Sequence, residues 1–277
     1  MIKFAVDKEL CTQCGECAAD CPASAIEMQD LPVLEREERC IGCQHCLAVC
    51  PTGALSIMGL DPEQSVLLQE NLPRPEQMAA LIRGRRSVRR YQKEGLPAEI
   101  IEELLNTICH APTGVNAQGV LFTVLRDRTS TEALAEEVYQ RLDLLIDSPD
   151  QEENMVMKYL GGAVKKYRET GTDILFRGAP HVLVASAPSG SPCPNQDTMI
   201  ALTTFDLMAQ VMGIGTLWNG FLTWTFQMLK DLPARMGIPE DHAIGYVMVF
   251  GRPDVTYART VQRDPALVNM VDWKKDS

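Results

Sequence analysis

Eight of the ten cysteines fall into two short runs, and no other feature constrains this chain as tightly. The runs are Cys11-Thr12-Gln13-Cys14-Gly15-Glu16-Cys17-Ala18-Ala19-Asp20-Cys21-Pro22 and Cys40-Ile41-Gly42-Cys43-Gln44-His45-Cys46-Leu47-Ala48-Val49-Cys50-Pro51. Both read C-x2-C-x2-C-x3-C-P. Three thiolates two residues apart come off one tight loop and can bind three corners of an iron–sulfur cube. The fourth cysteine sits just beyond and is directed elsewhere. A zinc site usually takes two short Cys pairs separated by a longer loop, which leaves the third and fourth cysteines of each run without a role. A disulfide framework would imply an exported chain.

Over residues 1–60 the chain resembles a two-cluster ferredoxin, with Pro22 and Pro51 as the last matching details. In such proteins the fourth cysteine of each run ligates the other cluster. The resemblance therefore implies that Cys11, Cys14, Cys17 and Cys50 hold one 4Fe–4S cluster, and that Cys40, Cys43, Cys46 and Cys21 hold the second. The runs form an internal repeat offset by 29 residues. Each is followed by a segment suited to a strand, 25–28 and 54–57. So small a unit has little apolar core, and the clusters must supply much of its folding energy. Residues 1–60 hold nine Asp or Glu and four Lys or Arg, a net charge of 4 − 9 = −5 before any cluster charge. An acidic module favours a donor with a basic docking face, and a merely soluble acidic surface accounts for the charge equally well.

The whole chain of 277 residues carries a formal charge of −11 and is 45% hydrophobic. That length suggests one large or two medium domains with ample material for a core. An acidic chain lacks the basic face that nucleic acid asks for. No stretch approaches the eighteen or so apolar residues of a membrane span, and residues 1–7 lack the apolar core of a signal peptide. The expected compartment is the cytoplasm, where thiols stay reduced. The expected division is a ferredoxin domain over 1–60, a proline-marked linker over 61–77 and a larger domain over 78–277.

In the larger part, residues 75–82 read as a helix start with Pro75 in its first turn. Next comes Arg85-Arg86-Ser87-Val88-Arg89-Arg90-Tyr91. Residues 97–108 are amphipathic and lead into Ala111-Pro112-Thr113-Gly114-Val115-Asn116-Ala117-Gln118, a loop of turn formers. Residues 120–125 read as a strand, 129–147 and 150–169 as helices, and 179–187 as a buried strand. Residues 198–212 are apolar on nearly all sides and predict a buried central helix that Gly213 ends. Gly213-Ile214-Gly215-Thr216-Leu217-Trp218-Asn219-Gly220 follows, then a strand over 244–250. The glycine segment has no preceding strand, which rules out a dinucleotide-binding fold.

Four of these segments, in this order, resemble the nitroreductase family of FMN proteins. They are the Arg-Arg-Ser-x-Arg-x-aromatic run, the Pro-x-x-x-Asn-x-Gln loop, the Gly-x-Gly-x-x-x-x-Gly segment and the basic residue of Tyr257-Ala258-Arg259. The resemblance covers roughly residues 78–265. It implies an α+β fold: a small ferredoxin-like two-cluster domain, then an FMN domain with a central antiparallel or mixed sheet wrapped by helices. It also implies a homodimer. Arg85 and Arg259 would hold the FMN phosphate, with Ser87 beside them. Arg89 would face the pyrimidine oxygens, where a reduced flavin develops negative charge. Asn116 would bond the ring edge. Thr113 and Gly114 would come from the partner subunit. Asn219 and Gly220 would present backbone N–H groups near N5, the reactive centre.

Two departures touch the pocket: Gly119-Val120 stands where the family often has Pro-Trp, and Asn219-Gly220 where many members have Glu-Gly or Gly-Gly. Cys109 is expected to be a small buried hydrophobe. Cys193 sits in a loop, and His45 lies inside the second cysteine run and is expected to be exposed.

Clusters pass one electron at a time, whereas flavin collects two and can deliver a hydride. The combination implies an oxidoreductase that takes electrons from a low-potential donor such as ferredoxin through both clusters to FMN. A small organic acceptor would then be reduced. Ferredoxin-fused members of the family are associated with anaerobes. Two alternatives stay open: an NAD(P)H-linked flavin reductase with the clusters as electron exit, and a non-enzymatic redox carrier or sensor.

Overall fold

The fold comes from a computed structural model, which describes residues 1–69, 71–146 and 155–273. The cysteine repeat is visible in the backbone. β1 (Phe4–Val6) pairs antiparallel with β4 (Leu55–Ile57), and β2 (Ile26–Met28) with β3 (Pro32–Leu34). Each cysteine run ends in one helical turn, α1 (Glu16–Ala19) or α2 (His45–Ala48). Three positions of each run or its tail are left-handed, and they match across the repeat: Gln13 with Gly42, Gly15 with Gln44, and Ser24 with Gly53. Each pair has one glycine and one residue with a side chain. The loop geometry is thus demanded twice and met with a different residue each time. Cys17 and Cys46, also equivalent, are both buried in the small core with Ile26, Leu47, Leu55 and Ile57.

The larger part is built on a four-stranded antiparallel sheet in the order β5 (Leu121–Leu125), β6 (His181–Pro188), β8 (His242–Gly251), β7 (Gly215–Trp218). Strand alternation sends side chains to two faces. Val182, Val184, Val247 and Val249 pack with α5 (Arg128–Ile146), α6 (Met155–Thr170) and α8 (Gly220–Met228). Leu183, Ala185, Met248 and Phe250 pack with α4 (Ala98–Ile108) and α7 (Pro194–Val211). Because both faces are covered, β6 reads in sequence as a continuous apolar run. α3 (Pro75–Gly84) and the short α9 (Asp231–Arg235) complete the helices named here.

The predicted elements lie close to the observed ones. The helix expected over 150–169 begins at Met155, and residues 147–154 lie outside the described residues. Two expectations need correction. α7 is not buried all round: Ala201, Leu202, Phe205 and Ala209 face the sheet, while Met199, Ile200 and Val211 are exposed. One sheet face cannot cover both sides of a helix, so the outer side of α7 stands open in the single chain. Cys109 is also exposed. It follows the last turn of α4, and its thiol donates to the Asn106 carbonyl at 3.0 Å. His181 is buried, accepts the Leu96 N–H on Nε2 at 2.7 Å, and is pushed below the ordinary histidine value by burial.

The arginine run is seated on the sheet edge. Val88 N–H donates to the Thr216 carbonyl at 2.9 Å, and Ser87 bridges Thr216 in parallel. The approach is close enough that a Cβ on Gly215 would lie 2.8 Å from Val88 Cγ2. Gly215→Ala should therefore pry the run from β7 and destabilise this part by about 1–3 kcal/mol. All three tryptophans lie beyond residue 78, so urea unfolding followed by tryptophan emission reads this part alone. An unchanged midpoint would show that the contact is dispensable.

Candidate functional site

Two sets of four thiols gather in the N-terminal part. Cys11, Cys14, Cys17 and Cys50 line one cavity, and Cys21, Cys40, Cys43 and Cys46 line the other. The fourth cysteine of each run thus reaches across to the other loop. Among the described residues no three side chains converge as a single-ion site. Two runs that each lend a fourth thiol to the other's set suit a pair of multi-iron cubes better than two tetrahedral ions. Burial pushes the Cys46 thiol up to about 11 and raises Cys17 as well. Iron must displace those protons, so loading and folding are coupled. Cys50 is opposite. Burial raises it, but backbone contacts from Thr52, Ala54 and Leu55 and the Thr52 hydroxyl outweigh burial and hold it low. His45 Nδ1 lies 3.0 Å from Asp20 Oδ2, a half-exposed pair that links the two runs.

The second site is a cleft of about 340 Å³ where β7 runs into α8. Arg89, Arg177, Trp218, Asn219 and Gly220 line it together with the aromatic rings of Tyr159, Phe221 and Trp224. The Gly213–Gly220 segment delivers the cleft's floor because Asn219 caps α8: its Oδ1 accepts the Leu222 N–H at 3.1 Å. Its Nδ2 donates to Leu175 O at 2.6 Å, and its own N–H donates to Val247 O at 2.9 Å. The Asn219 N–H is therefore spent on the sheet, which leaves Gly220 as the first residue of the helix to face the cleft.

Asp206, which the sequence reading passes over, anchors the arginine run from below. This buried carboxylate on α7 accepts from the Thr216 hydroxyl and, at 2.9 Å, from Trp218 Nε1. Arg85 Nη1 lies 3.3 Å from its Oδ2. That contact is within ion-pair range but poorly aligned, so Arg85 Nη1 stays buried without a hydrogen bond, as does Arg86 Nε. Two buried guanidinium nitrogens short of an acceptor, on one run, fit an anion such as a phosphate. Among the described residues Arg89 donates only to Ser87 O, at 3.2 Å, and it reaches the cleft. Tyr91 staples the run to β8, its hydroxyl donating to Val249 O at 3.4 Å as well as to Val88 O within the run at 2.9 Å; burial raises its pKa.

The other expected residues lie elsewhere. Thr113, Gly114 and Asn116 do not line the cleft of their own chain. Gly114 N–H donates to buried Asp197 at 2.9 Å, and Thr113 Oγ1 accepts the Gln118 N–H at 3.0 Å. Asn116 Nδ2 donates to the carbonyl of Ile41, inside the second cysteine run, at 2.9 Å. Arg259 is exposed, and it makes no hydrogen bond or ion pair among the described residues. Asp206 could have been found as the lone acid in the apolar run 198–212. Arg177 has no comparable signal, because its place in the cleft depends on backbone geometry.

Asp206→Ala should leave the buried donors of Thr216 and Trp218 without an acceptor, at about 1–3 kcal/mol for each unsatisfied group, and Arg85 without its ion-pair partner. A total loss of about 3 kcal/mol is expected in urea unfolding followed by tryptophan emission, with Asp206→Asn losing less. Equal stability of the alanine variant would remove Asp206 from this role.

Comparison with known proteins places both parts. Residues 3–51 match the 4Fe-4S dicluster domain, and residues 82–252 match the nitroreductase family. A curated relative from Archaeoglobus fulgidus, described as a putative NADH dehydrogenase/NAD(P)H nitroreductase, is 26% identical over 182 residues, 64% of this chain and 86% of the relative. Among solved structures, the FMN-bound nitroreductase of Bacteroides fragilis is similar with a TM-score of 0.58 at 21% identity, covering 71% of this chain and 99% of that one. The FMN-bound nitroreductase of Desulfitobacterium hafniense gives 0.54 at 21% identity, covering 71% and 100%. These structural likenesses carry the fold. The family match spans more than half of the residues, and with its dicluster domain in front the chain belongs to the nitroreductase family.

Proposed function

We propose that this chain is an FMN-dependent oxidoreductase in which electrons from a low-potential donor pass through two 4Fe–4S clusters to FMN and on to a small organic acceptor. The observation that carries the reading is the Asn116–Ile41 hydrogen bond, which joins the second cysteine run to the loop that the family resemblance assigns to flavin. When bound, FMN supplies the step from one-electron carriers to a two-electron product. The chain's own residues do the rest. Arg85, with Ser87 beside it and Arg259 to be brought in, holds the phosphate. Arg89 stabilises charge at the pyrimidine edge. Gly220 offers its N–H at the start of α8. Having both modules in one chain raises their effective concentration.

A homodimer fits this reading. The outer side of α7 and α3 form an apolar groove of about 480 Å³ lined by Met78, Leu81, Met199, Ile200, Leu207 and Val211. A second copy seated there would cover it and could bring Thr113, Gly114 and Asn116 to the neighbouring cleft. No described helix is long and apolar enough to cross a membrane, and the cysteine clusters favour a reducing compartment such as the cytoplasm. The name of the Archaeoglobus relative favours NAD(P)H as a second candidate donor. Anaerobic reduction of the flavin by reduced ferredoxin and by NAD(P)H, compared side by side, separates the two.

Arg85→Ala should weaken FMN binding about ten- to a hundredfold, the loss of a charge-assisted contact of about 1.5–3 kcal/mol. Iron content should stay unchanged. Unaltered FMN affinity would return the arginine run to a purely structural role. Cys21→Ser removes one thiol from the set that holds Cys40, Cys43 and Cys46, so iron should fall while FMN is retained. Reduction of FMN by a ferredoxin-type donor should slow strongly, and an artificial donor that reaches FMN directly should still support turnover. Undiminished ferredoxin-driven turnover in a preparation shown to lack that cluster would sink the electron path.

A further inference from the structure

Arg177 lies in the cleft with no role in the flavin reading, and its surroundings hold it there at a conformational cost. Its φ is +59°, followed by Gly178 at +63°. A left-handed residue with a side chain costs about 1–2 kcal/mol, and such strain persists where neighbours over-determine it, commonly at functional sites. Here the neighbours are tied on both sides. The Asp173 carboxylate accepts the Phe176 and Gly178 N–H groups, each at 2.8 Å, and the Tyr139 hydroxyl donates to it at 2.8 Å. The same hydroxyl oxygen accepts the Ile174 and Leu175 N–H groups, each at 2.9 Å. Asn219, in the opposite wall, holds Leu175 O.

In a chain with 37 acidic and 26 basic residues, Arg177 makes no hydrogen bond or ion pair among the described residues. It faces a wall of four rings, Tyr159, Trp218, Phe221 and Trp224. Tyr159 and Trp224 each stand edge-on to Phe221, at 6.4 and 5.9 Å between centroids. Aromatic walls take flat apolar bodies. A guanidinium free of partners takes a carboxylate in a two-point contact.

We propose that Arg177 is the specificity-determining residue for the acceptor, and that the acceptor is a flat, conjugated carboxylic acid held by its carboxylate. The assignment rests on the flavin reading above, because it leaves Arg85 and Arg89 to the cofactor.

The test compares 4-nitrobenzoate with 4-nitrobenzamide on the anaerobic holoenzyme, with reduced methyl viologen as donor. Each first step takes two electrons from the viologen and two protons from water, turns the nitro group into nitroso and releases one water. Wild type should favour the acid in kcat/KM, and Arg177→Gln should lower the acid-to-amide ratio about ten- to a hundredfold, the worth of a lost charged contact. Arg177→Lys, which keeps the charge but not the fork, should fall between them. Non-reducible benzoate, followed by tryptophan quenching, should lose affinity by a similar factor, while FMN affinity stays unchanged. Equal use of acid and amide by wild type would overturn the proposal. So would a drop in FMN affinity in Arg177→Gln, which would place the arginine in the cofactor site. If the chain binds no FMN the flavin reading fails, and benzoate binding to the cofactor-free protein still decides the role of Arg177.

Discussion

The carboxylate of Asp206 is the point on which the flavin-side architecture depends. It sits beneath the sheet edge on α7 and holds three groups from two other segments: it pairs with the Arg85 guanidinium of the arginine run and accepts hydrogen bonds from Thr216 and Trp218 of β7. A buried charge is tolerable only when paired and hydrogen-bonded, so the three groups cannot drift apart without exposing it. The same contacts fix where Trp218 stands in the cleft wall and where Arg85 stops short of full satisfaction. Packing and site are therefore set by one group. The parallel bridge from Ser87 to Thr216 extends this grip along the backbone.

The N-terminal part relies on a different physics. Its apolar core is a handful of side chains, and two of them, Cys17 and Cys46, belong to the ligand sets. Burial works against ionising those two thiols. Iron coordination offsets that cost and ties the folded state to the metal. The larger part has no such dependence, since two separate apolar layers close over the faces of its sheet.

Much of this was legible in the sequence because the signals are local. The cysteine spacing carries its geometry within a dozen residues, and the apolar runs of β6 and β8 and the period of α4 are readable from side-chain type. The crossed thiol sets followed from the ferredoxin resemblance, and the cavities bring the same residues together. What was not legible depends on contacts distant in sequence. Composition cannot say which side of α7 finds a partner, so an all-apolar run looked buried all round. The capping role of Asn219 and the use of its N–H by Val247 need the chain folded. Cys109 looked apolar by type, and its exposure depends on where α4 ends. Arg177 needed backbone dihedrals that no residue type announces.

The matched left-handed positions of the cysteine repeat bear on the life of the protein before it is mature. Gln13, Ser24 and Gln44 adopt that conformation despite their side chains, at about 1–2 kcal/mol each, in a unit whose core is too small to absorb the cost comfortably. A newly made chain without iron thus carries an unstable head on a stable body. Proteases act on the open fraction of a segment, so in a chain without clusters the head is the part expected to be cut first.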